Sequence, residues 1–227
     1  MRSSVVAPWR LSDTIMGVAA VALGGAGLVL LAMGLEVIGV TKGTGASLLS
    51  AAMLEGLLVL VALTFSTRRY HCSLEILGFR SVRGYHFWLI PFAALLASLI
   101  ITAIYSIAVE SSGIDVLVPP DLSDSFNRPL GLSRFGLAFV VVVMAPIAEE
   151  TFFRGFVLQG LTHWAGPLGA SIGSSMLFAF SHASIGILIP AFLSGMVLAW
   201  AFTKTRSLTP GIFAHSMQNS LAFMLAF

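Results

Sequence analysis

Residues 135–154 read FGLAFVVVVMAPIAEETFFR, and this stretch decides the fold. From residue 135 to residue 148 it is apolar and uncharged, in the manner of a helix in lipid. Glu149, Glu150 and Arg154 then follow within six residues. A charge at bilayer depth costs roughly 2.5–3.5 kcal/mol on insertion scales, so three together need a reason. Intramembrane ionisable residues mark functional sites by default. The same twenty residues therefore predict a membrane helix and a site on it.

The rest of the chain supports the lipid reading. Of its 227 residues, 57% are hydrophobic and only 10% charged. A soluble domain carries about 25% charged residues. An integral membrane protein is expected, rather than a soluble domain with an anchor. The net charge of +2 is too weak to indicate a partner. The basic residues cluster in short loops, which argues orientation and not nucleic-acid binding. The one cysteine, Cys72, excludes an internal disulfide and a cysteine-based metal site, and reads as an inert loop thiol. Thr14 to Leu35 is uncharged, too long for a cleaved signal core, and reads as a first span.

A hydrocarbon core about 30 Å thick needs roughly 20 apolar residues per helix. Spans are expected at about 14–40, within 43–67, at about 87–109 and from Phe135 onward. Between Arg154 and Lys204 no Asp, Glu, Lys or Arg occurs. That leaves room for two further spans, broken near Gly166-Pro167 and near 185–190. A last span runs from about Ser207 to Phe227. The expected fold is all-α, a polytopic transmembrane bundle of about seven spans in a single domain, 1–227. No internal repeat is visible. Irregular backbone in lipid would leave polar groups unsatisfied, so helices are required.

Lysine and arginine set the orientation. Arg2 and Arg10, then Arg68, Arg69, Arg80 and Arg83, then Lys204 and Arg206 fall on one side of a seven-span arrangement. The other side has Lys42 and the loop 110–134, where Glu110, Asp115, Asp121 and Asp124 outnumber Arg128 and Arg134. The N-terminus is expected in the cytoplasm and the C-terminus outside. The segment from Ser73 to Val82 reads equally as a short interfacial helix or as a basic retention loop.

The polar residues of the second half then stand out singly. Glu150 and Arg154 are four apart and share a helix face, either as a structural ion pair or as part of a site. Glu149 points about 100° away, with no sequence-local partner. A carboxylate in such a low-dielectric setting is a candidate general base, or a pore-facing or packing carboxylate. His182 follows Phe178 by four, and alone reads as a satisfied core histidine. His215 precedes Asn219 by four, and that pair alone reads as interhelical hydrogen-bond glue. Three helices each bringing polar groups at similar positions favour a site. His163 beside Trp164 reads as interfacial, and His71 and His86 take no role. Phe192, Gly195 and Ala199 suggest close helix packing. Glu36 is explained by snorkelling near a helix end; Glu55 lies deeper and has no explanation in the sequence.

The order Glu-Glu-x-x-x-Arg, Phe-x-x-x-His, Phe-x-x-Gly and His-x-x-x-Asn, from Glu149 to Asn219, resembles the CPBP intramembrane protease family. That family includes CAAX prenyl endopeptidases of the Rce1 type and bacterial Abi proteins. The resemblance covers about a third of the chain, within a catalytic core at 135–227. It implies peptide-bond hydrolysis inside the bilayer of a bacterial inner membrane, on a lipidated or membrane-embedded peptide near the cytoplasmic side. By the same resemblance Glu149 activates water and His182 helps hold it. His215 and Asn219 line the site, with Asn219 facing the developing oxyanion. Glu150 and Arg154 hold the helix in place, with Glu150 also able to reach the water. Spacing leaves the division between the two glutamates open. No cofactor is expected, although His182, His215 and a glutamate also suit zinc. No His-Glu-x-x-His pair occurs, and asparagine and arginine are poor zinc ligands. Helix rise places Glu149 and His215 at similar depth but His182 higher if its helix starts at Pro167, so a later start near Ala170 is expected. The competing readings are a non-catalytic immunity or scaffold protein of the same fold, and a proton-coupled transporter.

Overall fold

The computed structural model describes residues 7–37, 44–82, 84–120 and 132–225. Arg2, Lys42, Arg83, Asp121, Asp124, Arg128 and Phe227 lie outside them, so part of the orientation argument has no structural counterpart. The described residues are helical and contain no strand. Helix α1 is Leu11–Val37 and α2 is Thr44–Leu63, which widens into a π-helical turn at Thr64–Arg68. Helix α3 is His86–Ser112, stopped by Gly113 in a left-handed conformation (φ 67°) that satisfies a helix end without a Cβ clash. Helix α4 runs over 132–165 and α5 over 167–181. The two are separated at Gly166, whose φ of 69° and ψ of 174° are not helical. Helix α6 is Ile185–Thr205 and α7 is Thr209–Leu225.

Five helical runs are long and apolar enough to cross a membrane, with Ser133–Ser181 counted as one run of 49 residues. The chain is an integral membrane protein on this composition. Seven spans require the run to be divided at Gly166 and α7, 17 residues long, to be included. The expected break at Gly166-Pro167 is present. The later start near Ala170 is not, because proline suits the first turn of a helix and α5 begins there. Of the two readings of 73–82, a short helix or a basic loop, the structure has a loop with one 3₁₀ turn, Leu74–Leu77, ended by Gly78 at φ 103°.

Helix α4 is the centre of the bundle. It packs against α1, α2, α5, α6 and α7, while α3 closes the far side against α6 and α7. Every residue from Glu150 to Leu158 is buried. This segment and Val140–Met144 are π-helical, with wider turns than an α-helix. Widened turns loosen the backbone ladder, and its carbonyls take outside donors instead. Ser174 Oγ donates to the Phe153 carbonyl at 2.7 Å, Gln159 Nε2 to Gly155 at 2.6 Å and Trp9 Nε1 to Phe156 at 3.1 Å. Around it Trp9, Phe152, Phe153, Phe156 and Phe178 form the main core. Gly160 gives Trp9 and Thr14 room, since a Cβ there would collide with both.

Candidate active site

The two glutamates of α4 meet one histidine of α7. His215 Nε2 lies 3.5 Å from Glu149 Oε2, and its Nδ1 lies 3.4 Å from Glu150 Oε1. Both are ion-pair separations; Nδ1 stands outside hydrogen-bond geometry. The imidazole is thus flanked by carboxylates at both nitrogens. Sequence spacing gave Glu149 no local partner, and the partner comes from a helix some sixty residues on.

Glu150 and Arg154 form the expected i,i+4 pair, at 2.6 Å between Oε1 and Nη1. Arg154 Nη2 donates to the Gly195 carbonyl at 3.1 Å, and its guanidinium lies 4.5 Å from the Phe178 ring centroid. Both side chains are buried. A pair taken out of water gains little net stability but is costly to break. Two glycines make the space. A Cβ on Gly211 would stand 2.8 Å from Glu150 Oε2, and one on Gly195 would press Ser175 at 3.0 Å and Arg154 at 3.3 Å. The sequence reading of Gly195 as a packing residue fits this role. Accessibility separates the two acids, since the side chain of Glu149 keeps 16% exposure and that of Glu150 1%.

His182 and Asn219 line the same space as His215 and take backbone partners. His182 closes the end of α5, with Nδ1 2.8 Å from the Phe178 carbonyl. No hydrogen bond or ion pair joins it to either glutamate among the described residues. Phe178 stands between, its ring 4.8 Å from His182 and 5.7 Å from His215. Because α5 starts at Pro167, His182 reaches the end of the bundle opposite the start of α7. Asn219 Nδ2 donates to the Val141 carbonyl at 2.9 Å, inside the first π-helical segment of α4. One amide N–H therefore ties α7 to α4, and the second remains.

A cavity of about 230 Å³ connects these groups. His182, Phe178, His215, Gln218 and Asn219 line it, with Ser194, Thr102 and the Pro119-Pro120 loop. It extends from the level of His215 toward Ile187 and Pro119. Gln218 and Ser194 were not singled out in the sequence. The Ser194 hydroxyl donates to Gln218 Oε1 at 3.1 Å and lies 3.4 Å from Ser98 Oγ. The available signal was weak, a second amide beside Asn219 and a serine in an apolar helix. Glu55 gains a setting: it is buried on α2, its Oε2 has no partner among the described residues, and Glu149 is the neighbouring charge acting on it. His163 has Nε2 3.1 Å from the Ala7 carbonyl.

Among the described residues no three His, Cys, Asp or Glu groups converge as ligands. Of the zinc set considered from the sequence, His182 has Nδ1 at the Phe178 carbonyl and its ring against that of Phe178.

Residues 131–221 match the family described as Type II CAAX prenyl endopeptidase Rce1-like. Over 89 residues the chain is 27% identical to a Bacillus subtilis (strain 168) protein named "Putative membrane peptidase YdiL". That match covers 39% of this chain and 36% of the relative, so the chain spans little more than a third of the relative's length. No solved structure matches. All six residues from Glu149 to Asn219 singled out in the sequence lie inside the family match.

Proposed function

Through residues 131–221 the chain belongs to the CPBP family of intramembrane proteases, and from that premise we propose that it is an endopeptidase with Glu149 as the group that activates water. The observation that carries this is the meeting of Glu149 with His215 beside a cavity within the bundle. A partly accessible carboxylate beside a histidine is a group suited to general-base work. In the proposed step the water oxygen bonds to the peptide carbonyl carbon while Glu149 takes the proton. The C–N bond then breaks, and Glu149 returns that proton to the leaving nitrogen. The second N–H of Asn219 is the proposed donor to the oxyanion. The Glu150–Arg154 pair holds the widened segment of α4 against α6 through Gly195. His182, which lines the same cavity as His215, is proposed as a substrate contact.

The substrate class proposed is a lipidated or membrane-embedded peptide. Its scissile bond would lie at the level of His215, six residues or about 9 Å along α7 from Thr209. The proposed chemistry uses no resident metal. The proposed location is a bacterial inner membrane with the N-terminus cytoplasmic. Cys72, half-buried in the basic loop, is the natural reporter of sidedness. A membrane-impermeant maleimide should label it in inverted vesicles and not in right-side-out vesicles; the opposite pattern would reverse the orientation.

The function itself is tested by comparing peptide termini in membranes that carry the wild-type protein or Glu149→Gln at matched expression. New termini that vanish in the variant are expected. Identical termini, with both proteins folded and present, would favour a non-catalytic membrane partner of the same fold.

A further inference from the structure

A second cavity lies away from the one at His215. It measures about 580 Å³ and lies at the opposite end of α3 and α6. Arg80, Ser81 and Glu75 of the α2–α3 loop line it, together with His86 at the start of α3 and Lys204 and Thr205 at the end of α6. Two cations, a histidine and two hydroxyl side chains thus surround one space, with a single carboxylate among them.

The walls are built and not merely a loop left open. Leu208 N donates to the Gly78 carbonyl at 2.9 Å and the Ser207 hydroxyl to the Arg80 carbonyl at 2.6 Å. Gln159 Nε2, from α4, reaches the Ile76 carbonyl at 3.0 Å. Gly78 adopts φ 103°, and a Cβ there would run into Phe202 and Leu208. Arg80 donates through Nη2 to the Glu75 carbonyl, and its buried Nε has no partner among the described residues. An unsatisfied buried donor on a cation is costly and favours an anion. Tyr85 and Trp88, beside this cavity in sequence, are 69% and 60% exposed. Exposed tyrosine and tryptophan at a helix end mark the headgroup level of a bilayer.

We propose that this cavity binds the phosphate of an anionic phospholipid whose headgroup carries hydroxyls, with phosphatidylglycerol as the representative. Phosphate is the abundant anion at headgroup depth, and basic pockets between membrane helices hold such groups. Arg80 and Lys204 meet the phosphate oxygens. Glu75 accepts from headgroup hydroxyls, and would repel a second phosphate. The volume exceeds that of a bare phosphate ion and leaves room for the glycerol. The site is separate from the Glu149 centre and does not depend on its chemistry.

Native mass spectrometry of the detergent-purified full chain, with phosphatidylglycerol or phosphatidylcholine added, tests this. The wild type should retain phosphatidylglycerol in preference. Lys204→Ala and Arg80→Ala should each reduce that retention about five-fold. Arg68→Ala, an exposed cation at the same end but outside the cavity, should leave it unchanged. Lys204 is exposed and makes no hydrogen bond or ion pair among the described residues, so its variant reads binding even if Arg80→Ala disturbs the loop. Equal retention by wild type and Lys204→Ala, or equal retention of the two lipids, would overturn the proposal. Millimolar inorganic phosphate that displaces the lipid and remains bound in its place would overturn the lipid as the source and assign the site to a free anion.

Discussion

Helix α1 and the segment Glu150–Leu158 of α4 are both apolar helices, and they are built inside out from one another. In α1 the buried residues are Asp13, Thr14 and Gly17, while Leu23, Val29, Leu30 and Leu31 face outward. In α4 every residue from Glu150 to Leu158 is buried, charges included. Where lipid is the solvent, exposing leucine is free and the interior is the place where polar groups find partners. Asp13 follows the same rule at the edge of the bundle: it accepts from Tyr70 at 2.5 Å and pairs with Arg69 at 3.1 Å. The difference separates a helix that holds the bundle in the membrane from one that carries its chemistry.

Breaking the buried pair should separate the two regions most. Arg154→Met leaves Glu150 uncompensated and should destabilise the protein by about 3–5 kcal/mol, read by thermal unfolding in detergent. Adding Glu150→Gln should recover part of that loss, because the unpaired charge goes with it. No recovery would mean that Arg154 acts through Gly195 and Phe178 alone.

A smaller effect is expected from Gly211→Ala. The added Cβ meets Glu150 Oε2 and must displace a carboxylate that also faces His215. Cleavage should fall about ten-fold, in line with the sensitivity of catalysis to small misplacements, with a stability change of about 1 kcal/mol. Unchanged cleavage would remove Glu150 from any role in placing His215.

The smallest effect should come from α1. Leu30→Ala, 70% exposed, should change stability by no more than about 0.5 kcal/mol in detergent. A larger loss would show that this face is covered by protein rather than by lipid.

The sequence makes some of this plain and hides the rest, for physical reasons. The i,i+4 rule alone predicts Glu150–Arg154, and the glycine-proline break between α4 and α5 is local chemistry. The facing of His215 to both glutamates is a tertiary fact, out of reach of spacing. So are the π-helical turns of α4, because the donors that satisfy their carbonyls come from Trp9, Ser174 and Asn219, distant in the chain. Asn219 reads as a site residue by its spacing from His215, yet half of its amide is spent on Val141. His182 reads as a site residue by motif order, and that its ring nitrogen meets the Phe178 carbonyl is a local fact of the end of α5. Glu55 reads as an anomaly, and becomes a neighbour of Glu149 only when α2 is laid against α4.

That last neighbourhood gives the most direct test of the central claim, that Glu149 is the base and the buried acids around it are its setting. The rate to measure is cleavage of a peptide identified from the membrane termini, by purified protein in liposomes, for wild type, Glu149→Gln and Glu55→Gln. Glu149→Gln should lose about 10²–10⁴ in rate, the span general-base catalysis supplies. Glu55→Gln should stay within about ten-fold of wild type, as expected for a group that acts on the base from outside the reaction. A Glu149→Gln protein that cleaves at the wild-type rate would contradict the account.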